Sequence, residues 1–163
     1  MALIDPILDE LSREAETTRR VLTRLPADKL GFKPHEKSKS LGDLAWHVAM
    51  IPPRIAALAE LDDADALAIK AKAKPDSVQG IVDGFDEGIR DAKERLARLT
   101  DDQLGRKLRF RAGDRTLAFL PRIAFLRTVL LNHGYHHRGQ LSVYLRLLDV
   151  PVPPIYGPTA DEA

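Results

Sequence analysis

Apolar residues recurring at three- and four-residue intervals dominate this chain, and a chain so patterned has to bury helical stripes against one another. The steadiest stripe is Val78, Val82, Phe85, Ile89, Ala92, Leu96 and Leu99, with Ser77 placed to cap the helix that carries it. A first helix is expected from about Pro6 to Leu25 through Leu8, Leu11, Ala15, Thr18, Leu22 and Leu25, ending at Pro26. After a polar connection, Ala27 to Lys39, Ser40 offers a second cap and Asp43 suits the first turn of the next helix. Leu44, His47, Ile51, Ile55 and Leu58 then share a face. Pro52 and Pro53 lie inside that segment and predict a kink, or a break and restart, because each lacks an amide proton and crowds the preceding turn.

The segment Asp62 to Pro75 reads either as an extension of the second helix or as a solvated loop. Between Thr100 and Thr116 the periodicity lapses, and Phe110-Arg-Ala-Gly-Asp-Arg115 looks like a turn joining two short extended pieces. A fourth helix is expected from about Leu117 to Leu148, with Pro121 in or near its first turn. The tail Pro151-Val-Pro-Pro-Ile-Tyr-Gly-Pro158 cannot be regular helix, and its Ile155 and Tyr156 suggest that it packs across the surface in extended form. With 163 residues and no repeat or domain-sized linker, the expectation is a single all-α domain over residues 1–163, four antiparallel helices around one core and a Pro-rich C-terminal tail.

Lys and Arg total 25 against 24 Asp and Glu, a formal net charge of +1 with no long run of one sign, so electrostatic binding to nucleic acid or to an acidic membrane is unsupported. No apolar run is long enough to span a bilayer and the N-terminus lacks a signal-like pattern, so a cytoplasmic location is expected. The absence of cysteine removes disulfides, thiolate nucleophiles and sulfur ligands, and any metal site has to use His, Asp or Glu.

Histidines stand where core residues belong. The stripe of the fourth helix runs Phe119, Ile123, Leu126, Leu130, then His133 and His137, then Leu141, Tyr144 and Leu148. Positions four apart on a helix differ by roughly 40° and lie one turn apart, so both imidazoles can address one point, and His47 interrupts the apolar face of the second helix in the same way. Burying imidazoles is unfavourable unless their nitrogens find partners. One divalent transition metal satisfies all three at once and keeps a fourth position open for water or substrate. Imidazole suits zinc, nickel, copper or iron; zinc or nickel is the expectation carried forward.

His136, about 60° from His133 on the wheel, is an alternative to His137, which coincides better with the Leu126, Leu130, Tyr144 direction. Gln140 and Tyr144 lie near the same direction and are candidates to orient the ligands or touch a bound molecule. Arg138 points away and reads as a salt-bridge or dimer-contact residue, His35 as a surface residue. Gly139, costly inside a helix, suggests close approach of another backbone. Neither paired Glu-x-x-His nor His-Glu-x-x-His is present, which excludes the di-iron bundle and metalloprotease patterns and leaves one metal without a carboxylate base.

Asn132-His-Gly-Tyr-His-His-Arg-Gly-Gln-Leu141, Leu44-Ala-Trp-His47, Phe32-Lys-Pro34 and the tail Ile155-Tyr-Gly-Pro-Thr-Ala-Asp-Glu162 resemble the DinB-like, damage-inducible superfamily across essentially the whole chain. The resemblance implies an up-down-down-up four-helix bundle, often a homodimer, with metal ligands at His47, His133 and His137. It also implies that a low-molecular-weight thiol such as bacillithiol, mycothiol or glutathione could serve as cofactor in an S-transferase or isomerase. Metal-dependent hydrolysis of a small-molecule substrate and a non-enzymatic metal-binding dimer are the alternatives.

Overall fold

The structure, a computed structural model, describes residues 2–70 and 72–162. Its long helices are α1 (Asp5–Leu22), α2 (Leu41–Ala59), α3 (Val78–Leu96) and α6 (His133–Leu147). Between them lie strand β1 (Asp63–Asp65), a short helix α4 (Asp101–Gly105), strands β2 (Lys107–Ala112) and β3 (Arg115–Pro121), and a short helix α5 (Arg122–Phe125). A π-helical stretch, Leu126–Asn132, joins α5 to α6, so the chain is helical without interruption from Arg122 to Leu147. Both expected serine caps are present: Ser40 Oγ accepts from the Asp43 amide at 3.1 Å and Ser77 Oγ from the Gly80 amide at 3.0 Å.

Helix α2 is apolar almost all round and buries residues on most of its faces, which makes it the inner helix. It passes through Pro52 and Pro53 without ending, so the break and restart expected there does not occur. The reason lies across the interface with α3. A side chain at Gly88 would come within 3.0 Å of the Pro53 ring, and one at Gly84 within 2.6 Å of the Trp46 indole. These two glycines let the rings seat against α3, and packing holds a helix that local chemistry would interrupt.

The all-α expectation is corrected by a small three-stranded sheet in the order β1-β2-β3, with β1 parallel to β2 and β2 antiparallel to β3. The turn expected near Gly113 is there, with Gly113 at φ +59, a left-handed value that glycine adopts freely. Its second arm, however, takes Leu117 to Pro121 away from the fourth helix, which starts only at Arg122. Phe119 accordingly lies in a strand, 64% exposed under the Lys107 ammonium, and not on a core stripe. Neither of the two expectations for Asp62 to Pro75 accounts for β1, where Asp63 and Asp65 pair with Arg109 and Arg111 of β2. Arg122, 2% exposed, ties the sheet to the end of α2 by donating to the Leu61 carbonyl at 3.0 Å, the Gln103 carbonyl at 2.5 Å and the Asp62 carboxylate at 2.7 Å.

Two apolar clusters form the interior. One gathers Ile4 just before α1, Ile7 and Leu11 of α1, Ile51 to Ala59 of α2, and Phe125 to Leu131 beneath the sheet. The other gathers Val21 and Leu22, Leu41 to Met50, Phe85, and Leu141 to Leu145. The two clusters divide at a waist, occupied on α1 by Glu14 and Thr18 and on α6 by His133 to Arg138; on α2 the division falls between Met50 and Ile51, about one turn beyond His47. At the far end Asp149, at φ +55, turns the chain out of α6 into the tail. The tail lies against α1 and α6 through Arg20 to the Pro154 carbonyl (3.2 Å), Arg24 to Glu162 (2.6 Å) and Arg146 to Asp161 (2.5 Å).

Candidate metal centre

The waist brings together the three histidines that lie on helical stripes. Ligand nitrogens of His47, His133 and His137 all lie within 4.8 Å of one another and could hold a metal ion. His133 Nε2 is 3.4 Å from His47 Nε2 and 2.8 Å from His137 Nε2. Two nitrogens on a tetrahedral zinc, each about 2.1 Å from the metal, stand roughly 3.4 Å apart, so the first separation already suits shared coordination. The second is the short side of the triangle and matches an N–H···N contact.

Hydrogen bonding alone does not satisfy this cluster. His137 Nδ1 faces Gln140 Oε1 at 2.7 Å, which places the proton on Nδ1 and leaves the Nε2 lone pair pointing at the other rings. His133 Nε2 touches both neighbours but carries either one proton or one lone pair, while its buried Nδ1 has no partner in bonding geometry, the backbone of Val129 offering it only a partial one. With the proton on His133 Nδ1, towards the Val129 carbonyl, the lone pairs of His133 Nε2 and His137 Nε2 face each other at 2.8 Å; with the proton on Nε2, the buried Nδ1 lone pair is left without a donor. A cation bound to the three lone pairs removes the conflict, with the protons on the outer nitrogens.

The rings are also held neutral. Burial pushes His47 down to about 4, helped by the charges of His137, His133, Lys39 and Arg54 around it. Burial is likewise the main cause of the lowered values at His133 and His137. Neutral imidazole is the ligand form.

His136 is exposed and outside the group that could hold an ion, to which His137 belongs. His35 is exposed, as expected. Gln140 stands where an orienting group should, but Tyr144 does not: its hydroxyl donates to the Lys39 carbonyl at 3.0 Å and its ring packs edge-on to Phe32, away from any histidine. The close approach expected at Gly139 is absent, since nothing lies within 4 Å of a side chain placed there.

Arg138 does form a salt bridge, yet it is 1% exposed and sits inside the chain. It meets Glu14 Oε2 at 2.6 Å, donates to Thr18 Oγ1 at 3.2 Å and to the Tyr156 hydroxyl at 2.5 Å, and stacks against the Tyr135 and Tyr156 rings. Sequence reasoning missed this cluster; Glu14 and Thr18, spaced i, i+4 and flanked by apolar residues of α1, were its only signal.

A model of the DinB family matches residues 4–163. The chain is 29% identical over 164 residues to the uncharacterised protein YrdA of Bacillus subtilis strain 168, an alignment covering 98% of this chain and 91% of that one. Its fold is similar to the crystal structure of a DinB-like protein from Bacillus cereus ATCC 10987, with a TM-score of 0.74, 27% identity, and 94% and 97% of the two chains covered. A DinB-like protein from Bacillus subtilis shares the fold at a TM-score of 0.75 and 20% identity, covering 93% and 98%. With a helical frame, a histidine cluster at its waist and a family match over nearly its whole length, the chain belongs to the DinB family.

Proposed function

We propose that this chain is a metal-dependent enzyme in which His47, His133 and His137 hold one divalent transition metal, zinc or nickel, and in which a low-molecular-weight thiol supplies the nucleophile for an S-transfer reaction. The observation that carries this is the convergence of the three Nε2 atoms, with His133 Nε2 at 2.8 and 3.4 Å from the other two. A metal held there lowers the pKa of a thiol or water in its open position. The chain itself has no cysteine, and among the described residues no carboxylate joins the histidine group to act as a base for water, which supports an external thiol over hydrolysis. The residues' own work is then limited to holding the site. Gln140 sets the His137 tautomer, and Met50, Ile51 and Val129 supply apolar wall to the cavity beside His47 and His133.

In this proposal the four long helices form the up-down-down-up bundle of the family, and two chains pair through apolar residues such as Val143 and Leu147, each 56% exposed. Among the described residues no helix is long and apolar enough to cross a membrane.

The test is metal content together with turnover. Purified protein should carry close to one zinc or nickel per chain, and His133→Ala should lose it. The loaded protein should accelerate conjugation of a generic electrophile such as 1-chloro-2,4-dinitrobenzene with bacillithiol, mycothiol or glutathione. Ester hydrolysis without any thiol would instead establish the hydrolase, and a metal-free wild type with no metal affinity would overturn both.

A further inference from the structure

His47 stands between two cavities of opposite character. One, of about 130 Å³, is roofed by Phe110 of β2 and walled by Ile55, Leu58 and Val129, with His47 and His133 at its base. The other, of about 170 Å³, is lined by Lys39, Asp43, Trp46 and Lys72. His47, Met50 and Arg54 belong to both, so the two spaces meet beside the histidines.

The charges around the second space are unequal. Its one carboxylate, Asp43, is already engaged, meeting Lys74 Nζ at 2.5 Å and accepting from Ser40 Oγ at 2.7 Å, and the Lys74 bond holds it below the usual carboxylate range. Lys72 lies 3.5 Å from Glu87 on the rim. Arg54 is half-buried and has no ion pair among the described residues; its hydrogen bond is a long one, 3.3 Å, from Nη2 to the Ala66 carbonyl. A half-buried guanidinium with most of its donors unspent, opening on a cavity, is a preformed seat for a carboxylate, which it can grip with two parallel bonds. The apolar cavity sets the rest of the ligand, since an apolar space of roughly 150 Å³ takes up benzene.

We infer that the site takes an amphipathic organic anion: an apolar group of about six non-hydrogen atoms beneath Phe110, and a carboxylate held by Arg54 with Lys39 and Lys72 at the rim. The inference rests on the histidines being a ligand-binding site, and it names the substrate class of the proposed transfer reaction as small electrophiles bearing a carboxylate. The contact between the two spaces makes the pair selective. A neutral molecule leaves Arg54 uncompensated, and a small anion leaves the apolar cavity unfilled.

Binding of phenylacetate, phenylacetamide and acetate, followed by NMR shifts of the full chain, tests this in chelator-treated and in zinc-loaded protein. Phenylacetate should bind about tenfold or more tightly than either of the others in the metal-free protein, where no metal can attract the carboxylate. Arg54→Met should abolish the preference over the amide while leaving amide binding unchanged, and Arg54→Lys should restore part of it. Equal binding of phenylacetate and phenylacetamide, equal binding of phenylacetate and acetate, an unchanged preference in Arg54→Met, or no saturable binding at all would each overturn the inference. A protein that binds no zinc yet shows the phenylacetate preference defeats only the metal proposal. One that binds zinc and turns over thiol without that preference defeats only this inference.

Discussion

Two polar clusters face each other across α6 at the same level of the molecule, one centred on Arg138 and the other on its neighbour in sequence, His137. The Arg138 cluster is nearly closed: Glu14 neutralises the charge, Thr18 and Tyr156 take up donors, and Tyr135 and Tyr156 cover the guanidinium, leaving the buried Nε without a partner. The histidine cluster is open, with lone pairs aimed inward at one another and a buried nitrogen unmatched. Both interrupt the apolar interior and each leaves one buried nitrogen without a partner, but only around Arg138 are the charge and most of the donors taken up by the chain itself. Polar residues that satisfy one another hold a fold together, whereas polar residues that converge without satisfaction await a ligand.

The contrast can be broken most severely on the closed side. Arg138→Met leaves Glu14 without its partner and should cost about 3–5 kcal/mol in urea unfolding, with metal affinity unaffected. Gln140→Ala should do the reverse, weakening metal binding by roughly tenfold in a chelator competition while the unfolding midpoint of the metal-free protein stays in place. A smaller loss, about 1 kcal/mol, is expected for Tyr156→Phe, because its hydroxyl bonds both Arg138 and Glu14 but its ring is largely exposed. Smallest near neutrality is the pH dependence of the metal-free protein. The folded histidines have lowered values, His47 about 4 against 6.5, so the unfolded chain binds more protons between these limits. Stability should therefore be complete above about pH 6.5 and fall as the pH drops towards 4, and bound metal should steepen that fall. A stability profile flat across this range would mean that the rings are not held neutral by the fold.

How much of this was legible in the sequence differs between the same two clusters. The histidines announced themselves because each broke an apolar stripe at helical spacing, a local signal that survives without tertiary structure. Arg138 gave no such signal: its burial depends on Tyr156 of the tail and Glu14 of α1, which reach it only in the folded chain. The stripes also located α1, α2 and α3, and the serine caps marked where two of them begin. Strand β1 was out of reach because Asp-Ala-Asp has neither length nor apolar alternation, and its partner β2 lies more than forty residues away. The apolar run Leu117 to Leu120 satisfied a helical stripe and a strand equally, and pairing with β2 decided it. Pro52 and Pro53 predicted a break from local chemistry that Gly84 and Gly88, on another helix, made unnecessary. Tyr144 lay in the right direction on a helical wheel, but its hydroxyl found the Lys39 carbonyl first.

The π-helical stretch just before His133 has a bearing on how this chain tolerates changes in length. With i→i+5 bonds, Leu126–Asn132 packs one more residue into its turns than an α-helix of the same span would need. Removing one exposed residue there, such as Thr128, lets the segment relax to ordinary helix with Phe125 and His133 still facing as before. The same deletion made between His133 and His137 would swing one ring by about 100° away from the other. A length change is therefore absorbed ahead of the site and ruinous within it, so the stretch acts as slack in a helix that otherwise has none.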